Sequence, residues 1–570
     1  MILVVGWDGA CREVTDRLRA QGRMPVLDAL MAEGRSLRVR STVPAVTFPA
    51  WTSFLTAAEP DHHGVTDFTI PRPGSYGVRF VNATHRRLPT ILATMAAAGR
   101  RVGMYGVPAT FPPEGRAVFE ICGFDTPLGA TAGDRATHPR ELAATIRRRH
   151  GRLGIEGVAQ SRIGAGWHES ARVQLVEDIA LRTRISVELM REHALDVFVV
   201  HFMEPDTVSH HFWQFDDDAS PRRREGHRGA IAEVYEALDR SLGELLETAG
   251  QGADLLLLSD HGSAGASDRI VFWNRWLADR GWLGFQAGRS GALAGVVKRG
   301  AMALLPTSWQ ARAFAAAGPV ADRLESGARF AGIDWSRTRL YSDEVPYLPS
   351  LRVNLAGREP KGTVAPADLG PLLDDAAAEL LALRDPFDGG AVVEKVTRRE
   401  ELFDGPCADR YPDLILGLRR PGGYAYAAAS SRGGAESGWM RLLRDDEKSG
   451  AKGSAMSGVH SDFGMALLKC EAHASRLDHQ EDSHRGVRQA SRRDQPEHSA
   501  TDECSLADLG ATVLAMAGVA AGPGTQGRPL VAGLRAVDAD APGSAMVPVD
   551  YDDEEEREVE ERLRALGYLP

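Results

Sequence analysis

Three apolar segments of the sequence each run into an aspartate. They are MILVVGWD, LDVFVVHFMEPD and ADLLLLSD, which end at Asp8, Asp206 and Asp260. A carboxylate carried into a protein interior needs a positive partner, because burying an unpaired charge is costly. Three carboxylates in one place would repel one another unless a cation lay between them. The three aspartates are therefore candidate ligands of a metal ion.

Two histidines close to these aspartates indicate which metals would fit. His261 directly follows Asp260, and His210 lies four residues after Asp206, so one helical turn would place both on one face. A mixture of Asp and His suits zinc, or manganese or iron, better than magnesium or calcium. A single Asp at a strand end is usually a helix cap, but three of them after three apolar strands favour a metal site. His460, in SGVHSDFG, is a further candidate that would supply another nitrogen.

The segment STVPAVTFPAWTSFLT is rich in hydroxyl groups and contains a candidate nucleophile. Pro49 is tolerated in the first turn of a helix, which places Thr47 at or next to a helix N-terminus. Backbone N–H groups at such a terminus attract an anion, and a neighbouring metal ion would activate a hydroxyl. Taken alone, Thr47 fits a simple capping role. Beside a metal site, it fits a nucleophile.

The candidate residues require a fold that brings distant segments together. Short β-rich apolar runs alternate with longer helical patterns; for example, 171–193 precedes 196–202, and 230–249 precedes 254–258. This alternation predicts βαβ units and a mainly parallel sheet covered on both faces. The carboxyl ends of parallel strands share one edge, where α/β proteins bind ligands. We therefore expect the three aspartates to meet at that edge.

The remaining sequence predicts a core interrupted by an insertion. We assign the core to 1–262 and 454–535, an inserted cap or specificity region to 263–453, and a charged tail helix to 536–570. Within the second core part, 471–503 is rich in Ser, Arg, Asp and His and is predicted to be a loop. Its histidines fit a solvated insertion better than a metal site. The acidic run of the tail is predicted to be a solvated face.

The composition limits the partners and the compartment. The 570 residues carry a net charge of -11, which argues against a protein that wraps nucleic acid or coats an anionic membrane. Five scattered cysteines without a CxxC pair favour neither a disulfide framework nor a cysteine zinc site. The sequence shows neither a signal-peptide pattern nor an apolar run of about 18 residues. We therefore expect a cytoplasmic protein with a small-molecule substrate and no nucleic-acid or membrane partner; the oligomeric state is not indicated.

Five stretches of the sequence together resemble a known family. In chain order they are GWDG, VTFPAWTSFLTAAEPDHHGV, MEPDTVSHHFW, LSDHG and GVHSDFG. They resemble the type I phosphodiesterase/nucleotide pyrophosphatase family of the alkaline phosphatase superfamily, and the resemblance covers the chain from Met1 to about Val519. It implies an α/β fold: an alkaline phosphatase-like three-layer αβα sandwich with a mainly parallel central sheet and an inserted cap.

The resemblance also implies a set of site residues. Two divalent metal ions are expected, with zinc as the first choice and manganese or iron as alternatives. The implied ligands are Asp206, His210 and His460 for one ion, and Asp8, Asp260, His261 and the Thr47 oxygen for the other. Thr47 would be the nucleophile and would form a phosphothreonine intermediate. In the nucleotide pyrophosphatases an asparagine contacts the phosphoryl oxygen, and Asn82 is the residue predicted for that contact.

The implied function is that of a metal-dependent phosphoric ester hydrolase, and more narrowly of a phosphodiesterase/nucleotide pyrophosphatase. A phosphomonoesterase or phosphotransferase on the same scaffold is the first alternative. A non-catalytic binding protein that kept the fold is the second. A sulfatase is disfavoured, because the sequence has no Cys-x-Pro-x-Arg stretch from which to make a formylglycine.

Overall fold

The structure is a computed structural model that describes most of the chain. The described residues are 1–127, 135–158, 166–286, 330, 332–431, 438–448, 456–470, 503–531 and 548–565. The predicted polar loop over 471–503 therefore lies almost entirely outside the described residues. The same holds for 536–547 and 566–570 of the predicted tail.

Strands and helices alternate through the first half of the chain, as the sequence predicts. The strands are β1 (Ile2–Trp7), β2 (Arg35–Arg40), β3 (Thr69–Pro71), β4 (Val78–Phe80), β5 (Val102–Tyr105), β6 (Phe119–Ile121), β7 (Thr137–His138), β8 (Val197–Phe202), β9 (Asp254–Leu258), β10 (Gly262–Val271), β11 (Leu340–Tyr341), β12 (Ser350–Val353), β13 (Val393–Arg398), β14 (Leu414–Leu418), β15 (Ala425–Ala428), β16 (Met440–Leu442), β17 (Gly458–Ser461), β18 (Phe463–Lys469) and β19 (Glu503–Ser505). The α-helices are α1 (Arg12–Ala20), α2 (Pro25–Glu33), α3 (Thr47–Thr56), α4 (Pro60–His63), α5 (Ile91–Ala97), α6 (Glu141–His150), α7 (Trp167–Glu192), α8 (Glu204–Asp216), α9 (Ala230–Ala249), α10 (Trp273–Asp279), α11 (Leu369–Leu381), α12 (Arg399–Leu402), α13 (Leu506–Met516) and α14 (Asp553–Ala565). Among the described residues, no helix has both the length and the apolar character that a membrane span requires.

A nine-stranded sheet forms the centre of the molecule. Its strand order is β19-β2-β18-β9-β1-β8-β5-β6-β7. The five strands from β9 to β6 are parallel, whereas β18 runs antiparallel to both of its neighbours. The predicted mainly parallel sheet is therefore confirmed.

Alternating side chains of β1 pack into two separate apolar cores. Leu3, Val5 and Trp7 belong to the core formed with α1, α2 and α6 to α9. Ile2 and Val4 belong to the core formed with α3, α5 and α13. A sheet with helices packed against both faces is a three-layer αβα sandwich, as the fold prediction stated.

Strand β18 joins the two predicted parts of the core. It pairs with β2 on one side and with β9 on the other, although these strands lie more than 200 residues apart in the sequence. Strand β17, just before it, pairs with β10 and places His460 opposite Ser263. The second core part therefore brings His460 close to the end of β9.

The predicted inserted region contributes to two smaller sheets. Strands β15, β10 and β16 form one of them together with β17 of the second core part, and β11, β12, β14 and β13 form the other. They share an apolar core that contains the fully buried Trp273 and Trp276. The predicted domain boundaries remain predictions.

The C-terminal helix α14 and the residues just before it pack against the N-terminal half of the chain. Tyr551, Val559 and Leu563 are buried in a cluster that also contains Phe48. Acidic side chains of this segment contact arginines: Glu556 binds Arg72 at 2.8 Å, Asp550 binds Arg79 at 2.9 Å, and Glu555 binds Arg135. The acidic run that was predicted to be a solvated face is thus in part an ion-pairing face.

Apolar burial is expected to contribute more to the docking of α14 than the ion pairs do. Leu563→Ala should weaken docking by about 2–4 kcal/mol, because it removes a fully buried side chain. Glu556→Gln should cost less than about 1 kcal/mol, because Arg72 is half exposed. Hydrogen exchange over residues 549–563 measures both effects. A larger effect for Glu556→Gln would contradict this ranking.

Candidate metal centre

Strands β1, β8 and β9 bring Asp8, Asp206 and Asp260 to one edge of the sheet. Strand β1 lies between β8 and β9 and is parallel to both. Asp8 directly follows β1, Asp206 lies in the first turn of α8, and Asp260 comes two residues after β9. All three side chains are buried, with at most 1% of their surface exposed. The sequence therefore folds in a way that gathers three carboxylates in the interior.

Asp206, His210 and His460 form a compact triangle of donor atoms. Asp206 Oδ1 lies 3.1 Å from His210 Nε2 and 3.4 Å from His460 Nε2. The two Nε2 atoms lie 3.0 Å apart. Ligands held 2.0–2.1 Å from a tetrahedral zinc ion are separated by about 3.3 Å. The three distances are close to that value, so the donor set fits such an ion.

The outer nitrogen of each of these two imidazoles is held by the backbone. His210 Nδ1 donates to the Gly458 carbonyl and His460 Nδ1 donates to the Ala45 carbonyl, each at 2.8 Å. In the neutral rings, both Nε2 atoms then carry lone pairs that face each other. A positive charge between them removes this repulsion. Backbone acceptors that fix the tautomer in this way are typical of histidines that bind metals.

A second set of donor atoms is formed by Asp8, Asp260 and His261. His261 Nε2 lies 3.3 Å from Asp260 Oδ2 and 3.6 Å from Asp8 Oδ1. The Gly9 N–H donates to the other Asp260 oxygen, and His261 Nδ1 contacts the Gly262 carbonyl. The three facing atoms are buried and have no hydrogen-bond partner within the described part of the chain. Orphaned buried atoms of these types fit the ligands of a cation.

Without a cation, this region disfavours charge on Asp8, Asp260 and His261. Burial raises the pKa of Asp8 well above its usual value, and the carboxylates of Asp260 and Asp206 raise it further. Burial likewise raises the pKa of Asp260 and lowers that of His261. Burial also acts against a charged His210, but the Asp206 carboxylate outweighs it and raises the pKa of His210. The cluster is therefore electrostatically strained, and a divalent cation would relieve the strain.

Thr47 is the first residue of α3, and its hydroxyl is not used as a cap. Val46 is the N-cap residue, and no side chain caps this helix end. The Thr47 hydroxyl is fully buried and has no hydrogen-bond partner among the described residues. Trp51, four residues later and on the same face, donates its indole N–H to Asp8 Oδ2 at 3.0 Å. The helix therefore holds the Thr47 hydroxyl one turn away from a side chain that contacts Asp8.

Two residues that contact Asp8 did not emerge from the sequence. They are Trp51 and His201, whose Nε2 lies 2.8 Å from Asp8 Oδ2. His201 is the polar residue in the otherwise apolar strand VFVVHF. A polar side chain in a fully buried strand was a usable signal, because such a group needs a partner. The position of Trp51, one helical turn after Thr47, gave a weaker indication.

Asn82 occupies a capping position. It is the N-cap of the short 3₁₀ helix Ala83–His85, and its side-chain oxygen accepts from the Thr84 N–H. Its amide nitrogen donates to the Val549 carbonyl at 3.0 Å. These contacts occupy both groups of the side-chain amide. A contact between Asn82 and substrate stays a prediction.

A further group with metal-ligand residue types lies elsewhere, at Asp61, His62 and Asp404. One Asp61 oxygen accepts from the backbone N–H groups of Asp404 and Gly405. The other oxygen contacts His62 Nδ1 at 3.1 Å. Hydrogen bonds thus account for both oxygens of Asp61 without a cation.

Comparison with known proteins places this arrangement in a family. The family model described as type I phosphodiesterase/nucleotide pyrophosphatase matches residues 2–454. No curated protein sequence matches the chain. Similar solved structures include a phosphonoacetate hydrolase from Sinorhizobium meliloti 1021 in complex with phosphonoformate, at 17% identity, a TM-score of 0.47, and coverage of 82% of this chain and 89% of that one. Murine ectonucleotide pyrophosphatase/phosphodiesterase 5 is similar at 12% identity, a TM-score of 0.42, and coverage of 92% of this chain and 96% of that one.

The family model spans well over half of the chain and agrees with the resemblance found in the sequence. The protein therefore belongs to the type I phosphodiesterase/nucleotide pyrophosphatase family, and it is a hydrolase that acts on phosphoric esters.

Proposed function

We propose that the protein is a metal-dependent phosphodiesterase/nucleotide pyrophosphatase that uses Thr47 as its nucleophile. The observation that carries this proposal is the convergence of buried donor atoms at the edge of the sheet. Asp8, Asp260 and His261 each present an atom that lacks a hydrogen-bond partner in the described part of the chain. Such atoms are costly to bury unless a ligand satisfies them.

Two divalent ions suit the two donor sets. Asp206, His210 and His460 would hold one ion, and Asp8, Asp260, His261 and the Thr47 oxygen would hold the other. Zinc fits the mixture of imidazole and carboxylate donors best, with manganese or iron as alternatives. When bound, the ions supply positive charge that favours ionisation of the attacking hydroxyl and offsets negative charge on the leaving oxygen.

The chain itself supplies the nucleophile and its orientation. The Thr47 hydroxyl loses its proton to solvent, its oxygen forms a bond to phosphorus, and the bond from phosphorus to the leaving oxygen breaks, so that the leaving group departs as an anion or takes up a proton from water. With a diester substrate the phosphothreonine retains the second ester group; water then cleaves the Thr47 O–P bond, which releases a phosphate monoester and restores the Thr47 hydroxyl. Backbone N–H groups in the first turn of α3 are placed to attract the phosphoryl oxygens.

Comparison of a diester with a monoester tests the proposed substrate class. The bis-nitrophenyl phosphate diester should be turned over with a higher kcat/KM than the nitrophenyl phosphate monoester. The measurement is nitrophenol release by the purified, metal-loaded enzyme. A preference for the monoester would favour a phosphomonoesterase. Activity on neither ester would contradict the proposal for substrates with a nitrophenol leaving group.

Removal of metal is expected to abolish turnover reversibly. Dialysis against a chelator should inactivate the enzyme, because the Asp and His donor groups lose the cations that they share. Zn²⁺ or Mn²⁺ should restore activity, and Mg²⁺, which prefers oxygen ligands, serves as the control. Metal content measured in parallel decides the outcome. Full activity in a protein shown to hold no metal would contradict the assignment.

We also propose a reducing compartment such as the cytoplasm. All five cysteines are buried and none forms a disulfide, which suits such a compartment. A disulfide in protein isolated from its own cells without added reductant would contradict this proposal.

A further inference from the structure

One oxygen of the Asp8 carboxylate is held by two donors. The indole N–H of Trp51 lies 3.0 Å from Asp8 Oδ2, and His201 Nε2 lies 2.8 Å from the same atom. As a metal ligand, Asp8 is an ionised carboxylate and only accepts hydrogen bonds, so the Trp51 indole N–H and the Nε2–H tautomer of His201 both donate to it. The other oxygen, Oδ1, faces His261 and has no hydrogen-bond partner in the described ranges. The two donors thus divide the carboxylate into a tethered oxygen and a free one.

The rings of both donors are fixed in place by packing. His201 lies on β8 in register with Gly6 of β1. The Trp51 ring lies directly over Gly6, where an added Cβ would come within 2.3 Å of it. The rings of Trp51 and His201 meet edge to face with centroids 4.8 Å apart. Both side chains are at most 2% exposed, so neither has room to turn away from Asp8.

We propose that Trp51 and His201 are positioning residues that commit Asp8 to offering a single oxygen to the metal centre. Trp51 has a second effect, because it belongs to the helix that begins with Thr47 and so fastens that helix to Asp8. The proposal rests on the proposed metal centre. It states that two residues that are not themselves ligands fix the orientation of one ligand, Asp8. Groups that hold a metal ligand in this way typically change metal affinity by about 10–100-fold when they are removed.

Paired substitutions at His201 separate its hydrogen bond from its volume. His201→Leu keeps the approximate volume of the side chain but removes the hydrogen-bond donor. His201→Gln retains an N–H near the position of Nε2. Zinc affinity is measured by competition between the metal-free protein and a chromogenic chelator. We expect His201→Leu to weaken zinc binding by about 10–100-fold and His201→Gln to retain most of the affinity. A merely structural role would not distinguish the two variants in this way.

Trp51→Phe tests the other donor while keeping an aromatic ring over Gly6. We expect weaker zinc binding and a lower kcat at zinc saturation, with KM changed less, because the helix that carries Thr47 loses its tie to Asp8. Trp273→Phe is the matched control, since Trp273 is also fully buried but lies in the core of the inserted sheets. The control should retain wild-type zinc affinity and kcat.

The outcomes separate this proposal from the proposed function. If the wild-type protein binds none of zinc, manganese and iron, the metal centre itself is wrong. If the wild type binds zinc and both His201→Leu and Trp51→Phe bind it equally tightly, the positioning role is wrong and the metal centre stands. Circular dichroism confirms folding of each variant, and Trp51→Phe decides the question if His201→Leu does not fold.

Discussion

Thr47→Ala is expected to lower the turnover of a phosphodiester by about 10³-fold or more, because it removes the atom that is proposed to form the bond to phosphorus. The fold should persist, since the Thr47 hydroxyl accepts and donates no hydrogen bond among the described residues. Metal binding should largely persist too, because the Asp and His ligands remain. The measurements are kcat of the purified variant, its circular dichroism spectrum and its metal content.

Thr52→Ala provides a matched control for this experiment. Thr52 lies on the same helix, is equally buried, and also has a hydroxyl without a hydrogen-bond partner in the described part of the chain. The two substitutions therefore remove the same atoms from similar surroundings. Thr52→Ala should keep a kcat within a few-fold of wild type, and acid-quenched enzyme should carry the phosphoryl group of the substrate, with its retained ester, on Thr47 alone. Equal activity of the two variants would exclude Thr47 as the nucleophile.

Asp260→Asn is expected to abolish turnover and, in the absence of metal, to stabilise the protein. Turnover is lost because an amide is a poor replacement for a carboxylate ligand. The metal-free protein becomes more stable because a buried carboxyl group that resists ionisation is replaced by a neutral amide of the same shape. The amide oxygen of the variant can still accept from the Gly9 N–H, and its amide nitrogen can donate to His261 Nε2, which lies 3.3 Å from the carboxylate oxygen that it replaces.

The stabilisation should depend on pH in a defined direction. Burial raises the pKa of Asp260 in the folded protein, so the unfolded state ionises first as the pH rises. The wild-type protein therefore loses stability relative to the Asp260→Asn variant from about pH 4 upwards, until the folded carboxyl also ionises. Thermal unfolding of both proteins in chelator at about pH 5 and about pH 8 measures the difference. If the wild type were the more stable of the two proteins at the higher pH, this account would be wrong. When zinc is added, the wild type should become more stable than the Asp260→Asn variant.

The sequence could indicate that the candidate ligands lie together because its signals are local. Asp8 and Asp260 each follow an apolar strand within two residues, and the edge of a parallel sheet is shared by all its strands. The spacing of Asp206 and His210 survives as one helical turn of α8. In a regular helix or strand, the spacing of two residues in the sequence determines their relative positions in the structure.

The contacts around Asp8 could not be predicted in the same way. Trp51 and His201 reach Asp8 across 43 and 193 residues of sequence, through the packing of α3 on β1 and the register of β1 with β8. The capping contacts of Asn82 were equally out of reach, because its side-chain amide donates to the carbonyl of Val549, a residue 467 positions away. Residue types alone do not reveal which partner tertiary packing will supply.

The acidic tail shows the same limit for charge patterns. A run of glutamates on an exposed helix is usually solvated, and nothing within that run indicates a basic surface. Arg72, Arg79 and Arg135 provide that surface from the N-terminal part of the chain. The docking site of the tail is therefore a property of the fold and not of the tail sequence.

The place of β18 between β2 and β9 also sets when the enzyme can become active during its synthesis. A nascent chain on the ribosome that has released residues 1–262 already carries every proposed Asp and His ligand except His460. Until residues 463–469 emerge, β2 has no strand to join it to β9. Translation products that end before this point are therefore expected to bind zinc weakly and to have no hydrolase activity. Incomplete synthesis would then not release an active enzyme into the cell.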